Sequence, residues 1–414
     1  MDNAAAAATR EPHPGVGFVE FVALVAGLMA LNALSIDVML PGLPAIGDAL
    51  GVTEPNHRQL VLGAYLVAFG GAQLFYGPLT DRYGRRPVLL AGIALYVVAT
   101  LVAAMASSFE EMLWARFVQG LGAASTRVIA VAIARDCYGG REMGRVMSLA
   151  MMVFVAVPIL APSIGQLVLF VAPWRWIFGL LFVGGLGLLL WVALRLPETL
   201  SVEHRLPLSL RAVAGAFASA LTTRVAAGYM LAQGIYFGAL FGFIASAQQI
   251  LQDVYGVGDW FTVLFAVIAL ALTVASFLNA RYVRRVGLRR LAHGGLAGCA
   301  LLSSVHLALA LLDLDPLFLF VALQAATLFL FGFVAPNMNA LAMEPLGHIA
   351  GTGSAVVGTA QTLVGAILGT LVGQAFDGTV VPLVTGYVVF SVGALAVIFW
   401  TERGRLFQPQ RPPT

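Results

Sequence analysis

The sequence contains no lysine and few charged side chains of any kind. Only 10% of its 414 residues are acidic or basic, and all 23 basic residues are arginines. Soluble globular domains average about 25% charged residues. With 60% hydrophobic residues and a mean hydropathy of +0.91, the chain has more apolar surface than a soluble core can bury. The composition therefore excludes a soluble protein and predicts one that lies in a membrane.

The sequence also has little that could carry catalysis or bind a metal. Its two cysteines, Cys137 and Cys299, are too few for a disulfide framework. No group of His, Cys, Asp or Glu has the spacing of a metal site, and there is no phosphate-binding loop of the Walker type. We therefore expect no cofactor, no metal ion and no ATP hydrolysis. The net charge of +3 reflects the arginine loops and gives no reason to expect a nucleic-acid partner.

Long apolar runs fill most of the chain. A helix needs about 20 apolar residues to cross a hydrocarbon core about 30 Å thick, and twelve runs reach this length. Pro and Gly residues interrupt the fifth and eleventh runs. We therefore expect an all-α membrane protein with spans at residues 18–40, 58–79, 87–107, 112–134, 146–169, 175–195, 224–247, 259–281, 291–312, 316–340, 354–376 and 381–401.

The longest polar interval divides the twelve spans six and six, which predicts two halves. A weak echo supports a parallel repeat, because Gly84 and Gly92 recur as Gly287 and Gly295. The alternative is that any short loop with Arg and Gly would show such a match. The predicted parts are an N-terminal tail at 1–17, a first half at 18–195, a linker at 196–223, a second half at 224–401 and a C-terminal tail at 402–414.

The arginines predict how the chain is oriented in the membrane. If twelve helices cross in turn, all but Arg58, Arg116, Arg127 and Arg175 fall on the side of the two termini. Short loops rich in arginine stay in the cytoplasm. We therefore expect both termini to be cytoplasmic. The first apolar run is too long for a signal peptide and has no cleavage pattern, so we expect it to remain as a helix.

The segment between the second and third spans is rich in arginine. It reads Gly77-Pro78-Leu79-Thr80-Asp81-Arg82-Tyr83-Gly84-Arg85-Arg86-Pro87, and we expect a tight turn there. The segment resembles the G-x-L-x-D-R-x-G-R-R/K loop of the major facilitator superfamily. This resemblance implies a twelve-helix transporter fold, with this segment acting as a gating loop. The candidate gating residues are Gly77, Asp81, Arg82, Gly84, Arg85 and Arg86.

Within this loop, Asp81 has a specific expected partner. The resemblance implies that it faces the start of the eleventh span, at residues 351–354. Free amides and the positive end of the helix dipole would attract a carboxylate there. Such a contact would latch the two halves in an outward-open state. The alternative is a solvated acid that pairs with Arg82 or Arg85.

Three charged residues lie inside spans, where charge is costly and usually functional. Asp37 lies in the outer third of the first span, and Arg116 and Arg127 lie in the fourth. At about 100° per residue, their spacing places both arginines on one helix face, roughly 16 Å apart. That face should line a polar cavity or the bundle interior. Glu20, the other acid of the first span, lies at its inner edge and is expected to be interfacial.

The residues from Arg116 to Ala124 resemble the R-x-x-Q-G-x-G-A-A motif of proton-coupled members of that superfamily. The resemblance implies that Arg116 lies near the proton pathway. Asp37 and Arg116 have similar predicted depths, so we expect them to couple proton movement to transport, through an ion pair that breaks on protonation. The alternative is that Asp37 merely ends a helix at the outer surface.

The substrate is expected to bind among polar residues of the first, fourth and seventh spans. Because two arginines accompany a single buried acid, we expect neutral, zwitterionic or anionic substrates to be preferred over dications. The candidate cavity residues are Asn32, Asp37, Arg127, Gln233 and Tyr236.

The fifth span carries Pro158, Pro162 and Gly165 within a stretch that resembles the antiporter motif of the same superfamily. Ala161 replaces the glycine that precedes the proline, which is the form seen in bicyclomycin-resistance members. Prolines inside a helix free carbonyl groups and bend the helix. We expect an antiporter kink here, with a bend that serves only packing as the alternative.

Glycines recur at every fourth position of the eleventh span, at Gly365, Gly369 and Gly373. Small residues at this spacing allow close helix packing, and we expect them to pack between the two halves. His306, a lone histidine in the ninth span, is expected to be structural.

The resemblance extends along the whole chain and is most specific to the bicyclomycin-resistance (Bcr/CflA) type of drug:proton antiporter. It implies proton-driven efflux of small drug-like amphiphilic compounds across the bacterial inner membrane, by a monomer embedded in the lipid bilayer. One alternative is a porter of the same superfamily that imports or exports a metabolite. The other is a polytopic membrane enzyme, for which the short loops supply no converging reactive groups.

Overall fold

The computed structural model describes residues 15–205 and 210–408. The outermost parts of both predicted tails and four residues of the linker lie outside these ranges. In the described part, the chain forms fourteen α-helices and no strand. Their bounds are α1 Phe18–Asp37, α2 Leu43–Ala49, α3 Leu60–Tyr83, α4 Arg85–Met105, α5 Phe109–Cys137, α6 Gly140–Val171, α7 Arg175–Arg195, α8 Leu210–Thr222, α9 Arg224–Gln248, α10 Phe261–Val286, α11 Leu288–Leu311, α12 Leu317–Met343, α13 Ala350–Gln374 and α14 Val381–Thr401.

Twelve helical stretches among the described residues are long and apolar enough to cross a membrane, which confirms the predicted number. Helix α2 continues the first stretch beyond a 3₁₀ turn, and α8 lies in the linker. The spans are therefore α1, α3 to α7 and α9 to α14. The residue bounds of the linker and of the two halves stay a prediction.

The two halves repeat the same packing. In the first half, α3 and α4 pack on α5, α4 packs on α7, and α1 packs on α6. In the second half, the equivalent helices pack in the same way: α10 and α11 pack on α12, α11 packs on α14, and α9 packs on α13. Between the halves, α3 meets α13 and α6 meets α10, which are again equivalent pairs. Gly84 and Gly287 sit at equivalent breaks with φ of +99° and +93°, so the sequence echo corresponds to a structural repeat.

The turn expected at residues 77–87 is much shorter in the structure. Helix α3 continues to Tyr83 with Pro78 inside it, and α4 begins at Arg85. Only Gly84 lies outside a helix, and its positive φ favours glycine. Gly77 is helical and has open space where a side chain would begin, so neither its backbone nor its packing requires glycine. The segment is a break of one residue between two helices rather than a loop.

The expectation that the glycines of the eleventh span pack between the halves is wrong for two of the three. Gly365 and Gly369 lie against Phe237 and Phe241 of α9, which belongs to the same half. Gly373 does face Gln59, at the N-terminal end of α3. The close approach between the halves depends instead on glycines of α3: a Cβ at Gly70 would lie 2.9 Å from the backbone nitrogen of Leu363 in α13, and one at Gly63 would meet Thr370.

Candidate functional site

A cavity of about 300 Å³ lies between the two halves at one end of the bundle. Its walls come from the last turns of α3 and α5 and from the first turns of α13, with Phe217 of α8 and Asn339 of α12 at its edge. This is the end that the arginine distribution assigns to the cytoplasm. Its apolar wall includes Leu74, Val128 and Val131. The cavity therefore offers both apolar and polar surface to a ligand.

The opposite end of the bundle is held together by side-chain amides from both halves. Asn56 Nδ2 donates to the carbonyl oxygens of Gln374, at 3.1 Å, and Phe376, at 2.7 Å. Gln374 Nε2 returns a hydrogen bond of 2.7 Å to the Asn56 carbonyl. Gln249 donates to Asn56 Oδ1 at 2.9 Å and accepts from Gln59. We call Asn56, Gln59, Gln249 and Gln374 the amide cluster.

Two further features belong to this closed end. Arg58 lies 3.6 Å from Asp253, an ion pair that also joins the two halves. Gln249 begins a π-helical segment, Gln249–Val254, at the end of α9. Such segments often occur at functional sites. Between the two halves, the bundle is thus closed at this end, and the cavity between them lies at the other end.

Arg85 is the centre of the segment at residues 77–87, for which the sequence predicts a gating role. Its side chain is 4% exposed and donates to Thr80 Oγ1 at 2.9 Å, Asp81 Oδ1 at 2.5 Å and Asp136 Oδ2 at 2.9 Å. The carboxylate of Glu198 accepts the backbone N–H groups of Arg85 and Arg86, at 2.8 and 3.2 Å. These contacts connect the start of α4 to the end of α5 and to the linker.

Asp81 therefore pairs with Arg85, the alternative that the sequence left open. It also lines the cavity together with Thr352 and Ser354, at the start of α13. The predicted latch with the start of α13 is not formed in this structure and stays a prediction. Arg86 donates to the carbonyl oxygen of Ala193 at 2.6 Å, and Arg82 is exposed.

Arg116 is completely buried on α5. Its guanidinium donates to the carbonyl oxygens of Val61, at 3.2 Å, and Ser35, at 3.0 Å, and to Gln119 Oε1 at 2.5 Å. It also lies over the ring of Tyr65, 4.4 Å from the centroid. Every one of these partners is uncharged.

The expected ion pair between Asp37 and Arg116 is not formed. Arg116 reaches the backbone of Ser35, two residues from Asp37, and the carboxylate itself has no hydrogen bond or ion pair with any described residue. Asp37 is the last residue of α1 and is 4% exposed. Equal depth in the membrane brought the two side chains into one region, but not into contact. Their role in proton coupling stays a prediction.

Helix α6 passes very close to the end of α1. A Cβ on Gly165 would lie 1.9 Å from the carbonyl oxygen of Val38, the residue after Asp37. The helix runs unbroken through Pro158 and Pro162. The predicted antiporter segment thus packs beside the buried carboxyl group.

Of the five residues predicted to line the cavity, Arg127 does so. It forms no hydrogen bond or ion pair with the part of the chain that the structure describes. Asn32 is buried and accepts a hydrogen bond of 2.8 Å from the Tyr65 hydroxyl. Tyr236 is buried, stacks on Phe331 with centroids 4.9 Å apart, and has no partner for its hydroxyl among the described residues.

Two glutamines that the sequence analysis missed also line the cavity, Gln73 of α3 and Gln361 of α13. Gln361 Oε1 accepts from Gln233 Nε2 at 3.0 Å, which places the predicted Gln233 one hydrogen bond away from the cavity. Gln73 Nε2 lies 3.3 Å from Thr362 Oγ1 across the two halves. Amide side chains inside apolar spans could have identified both glutamines.

Two other acids have structural contacts. Glu20, near the start of α1, forms an ion pair of 2.8 Å with Arg195. Asp315 lies 3.1 Å from the Nε2 atom of His306 of α11. Cys137 and Cys299 are free and buried.

Comparison with known proteins agrees with this architecture. Residues 25–370 match the Major Facilitator Superfamily. The chain is 33% identical to the uncharacterized MFS-type transporter YdgK of Bacillus subtilis, over 92% of this chain and 95% of that protein. It is 33% identical to a bicyclomycin resistance protein homolog of Haemophilus influenzae, over 91% and 94%. It is 28% identical to multidrug resistance protein D of Escherichia coli, over 95% and 98%.

Solved structures show the same fold. A D-xylose-proton symporter superimposes with a TM-score of 0.71 at 15% identity, covering 92% of this chain and 96% of the other. The human organic anion transporter MFSD10 superimposes with a TM-score of 0.67 at 17% identity, covering 93% and 99%. The chain therefore belongs to the Major Facilitator Superfamily and is a membrane transporter rather than an enzyme.

Proposed function

We propose that this transporter is a proton-driven antiporter that exports small drug-like amphiphilic compounds. The observation that carries the proposal is the combination of an amphiphilic cavity between the halves with a buried carboxyl group in the first half. Among the described residues, Asp37 is the buried acid that has neither a hydrogen bond nor an ion pair. The names of the Haemophilus and Escherichia relatives, a bicyclomycin resistance homolog and a multidrug resistance protein, support the substrate class.

Asp37 is the proposed proton carrier, and Arg116 the proposed partner that it gains or loses during the cycle. Burying a carboxylate away from any cation is costly, whereas burying a neutral carboxylic acid is not. In the present state Arg116 is saturated by uncharged groups, and Asp37 has no partner within the described chain. A small rotation of α5 relative to α1 could bring the two charges together when the proton leaves.

The orientation and the location follow from the same proposal. The arginine-rich end lies in the cytoplasm, the protein spans the bacterial inner membrane, and the cavity is open to the cytoplasm in this state. The amide cluster then closes the periplasmic side. Export requires that the cluster open after the substrate has bound.

The test is substrate-induced proton release. A susceptibility panel in a host that lacks its own efflux pumps first identifies a drug. This drug is then added to purified protein in detergent, in weakly buffered solution. We expect the wild type to release protons on binding and Asp37→Asn to release almost none, because the amide cannot carry a proton. Asp48→Asn is the matched control, since it makes the same change at an exposed acid of α2.

Two outcomes would contradict the proposal. If Asp37→Asn releases as many protons as the wild type, Asp37 is not the carrier. If no drug in the panel is exported while a metabolite is, the metabolite-porter alternative is correct.

A further inference from the structure

The charges around the cavity are unbalanced. Asp81 is paired with Arg85, which also holds Asp136. Arg127 and Arg135 line the same cavity, and neither has an acidic partner in the described residues. The wall therefore carries three arginines and one acid, and the excess of positive charge is still one when Asp136 behind Arg85 is counted.

Arg127 is the deeper of the two. Arg135 is exposed, near the end of α5, whereas Arg127 lies more than two turns further into the bundle and is only partly exposed. A guanidinium in a partly desolvated position is stabilised by any anion that reaches it, and its planar geometry suits carboxylate, sulfonate and phosphate oxygens. The protein itself supplies no such anion among the described residues.

A second donor comes from an amide side chain that lines the same cavity. Gln361 lines the cavity, and its side-chain oxygen is occupied by Gln233 Nε2 at 3.0 Å. Its own amide N–H groups have no partner in the described part of the chain. Arg127 and Gln361 together thus offer several free hydrogen-bond donors, whereas the one acceptor between them, Gln361 Oε1, already accepts a bond from Gln233, and this favours an oxyanion over an ammonium group.

One part of the remaining wall is apolar and fits a compact apolar body. Leu74, Val128, Val131 and Val356 line the cavity. Its volume of about 300 Å³ lies at the lower end of the range for small-molecule sites, roughly 300–1,000 Å³. A ligand that fills it is small and amphiphilic.

We propose that this cavity binds small amphiphilic oxyanions, with the anionic group held by Arg127 and Gln361 and the apolar body against α3 and α5. The inference rests on the proposed function in that the cavity is taken as the substrate site. It adds the sign of the charge that the site prefers. The oxyanion belongs either to a soluble compound from the cytoplasm or to the headgroup of an anionic lipid.

The test compares three probes with the same body and different headgroups: 4-phenylbutyrate, 4-phenylbutanamide and 4-phenylbutylamine. Their dissociation constants are measured by calorimetry on the full-length protein in phosphatidylcholine nanodiscs, without a proton gradient. We expect the acid to bind about tenfold more tightly than the amide, because one charge-assisted hydrogen bond contributes about 1.4 kcal/mol, which corresponds to a factor of ten. We expect the amine to bind most weakly.

Variants locate the site. Arg127→Gln should abolish the preference for the acid, and Arg127→Lys should retain part of it. Gln361→Leu should weaken binding of the acid more than binding of the amide. Arg141→Gln is the matched control, because Arg141 is an exposed arginine outside the cavity. The wild-type comparison of the three probes remains decisive even if one variant fails to fold.

Nanodiscs with added phosphatidylglycerol distinguish the two sources. If the anionic lipid weakens binding of 4-phenylbutyrate in the wild type but not in Arg127→Gln, the lipid headgroup occupies the site. If the lipid has no effect, the site takes soluble oxyanions.

The proposal is overturned if the amine binds as tightly as the acid, if none of the three probes binds, or if Arg127→Gln keeps the wild-type preference. The result is independent of proton coupling. A preference for the acid together with unchanged proton release in Asp37→Asn would remove Asp37 as the proton carrier and leave the oxyanion site standing.

Discussion

The buried guanidinium of Arg116 satisfies its hydrogen bonds without a counter-ion. Two backbone carbonyls and the Gln119 amide accept from it, and the ring of Tyr65 lies 4.4 Å from its central carbon. These contacts tie α5 to α1 and α3. Because the groups are neutral, the charge stays available to a carboxylate that approaches later. This is what a residue that gains and loses an ion pair during transport requires.

Gly165 allows the closest contact between α1 and α6, and we expect Gly165→Ala to be destabilising. The added methyl group would meet the carbonyl oxygen of Val38, which is backbone and cannot turn away. Overpacking of this kind costs about 1–3 kcal/mol. The measurement is the thermal unfolding midpoint in detergent.

Gly144→Ala is the control on the same helix, because nothing lies within 4 Å of the position that its Cβ would take. Alanine should be neutral or slightly stabilising there, by about 0.5–1 kcal/mol, because it favours the helix. Equal stability of the two variants would show that α6 shifts away from α1 without cost.

At the scale of elements, a chain of hydrogen bonds holds the C-terminal segment against α9 and α11. The backbone N–H of Phe407 donates to His293 Nδ1 at 3.1 Å, and Tyr229 donates to Glu402 Oε1 at 2.7 Å. The remaining contact, 2.8 Å between His293 Nε2 and the Tyr229 hydroxyl, then requires the proton on Nε2. Arg289 completes the chain with a 2.9 Å contact to Glu402.

Glu402 makes this anchor sensitive to acid. Burial raises the pKa of its carboxyl group, but hydrogen bonds from Arg289 and Tyr229 outweigh burial and lower the pKa below the usual 4.5. A lowered pKa in the folded state means that the contribution to stability is full above pH 4.5 and is lost as the pH falls through the folded-state value. Below pH 4.5, we expect the unfolding temperature of the wild type to decrease with falling pH more steeply than that of Glu402→Gln.

The measurement is the unfolding midpoint at several pH values between 3 and 7. Glu203→Gln is the control, because Glu203 is an exposed acid of the linker. It should keep the wild-type pH profile. A wild-type profile in Glu402→Gln would show that the carboxylate contributes nothing to the anchor.

For the whole molecule, the state seen here depends on closure at the amide cluster. Asn56 alone makes three hydrogen bonds to Gln374 and Phe376 and accepts a fourth from Gln249. The side chain of Asn56 takes part in three of these four bonds, and its backbone carbonyl accepts the other one, from Gln374. We expect Asn56→Ala to shift the population toward states that are open at this end, because those contacts join the two halves. Each hydrogen bond contributes about 0.5–1.5 kcal/mol, so the population should change severalfold.

The measurement is the distance distribution between spin labels at residues 54 and 377, which are exposed and lie in different halves. The two native cysteines are replaced beforehand. Longer distances should gain population in Asn56→Ala, and Asp48→Ala should leave the distribution unchanged. An unchanged distribution in Asn56→Ala would mean that contacts between α3 and α13 are sufficient for closure.

The sequence was sufficient to predict twelve spans and their division into two groups of six. Each helix satisfies its own backbone hydrogen bonds, so a run of about 20 apolar residues is enough to indicate a helix that crosses the lipid. It also indicated that Arg127 lines a polar cavity, since charge inside a membrane is costly, and it singled out the arginine-rich segment through its resemblance to a known loop. The roles of both stay predictions. Its prediction of a turn at residues 77–87 was wrong, because local residues such as Pro78 and Gly77 do not determine where two packed helices end.

Only the tertiary structure decided which polar side chains meet. Asp37 and Arg116 have similar depths, yet the rotation of their helices directs Arg116 to carbonyl groups of α1 and α3 instead. Likewise, Gly365 and Gly369 face α9 rather than the other half. A contact depends on the rotation and separation of two helices, which are set by packing along their whole length. The sequence of either helix alone does not contain that information.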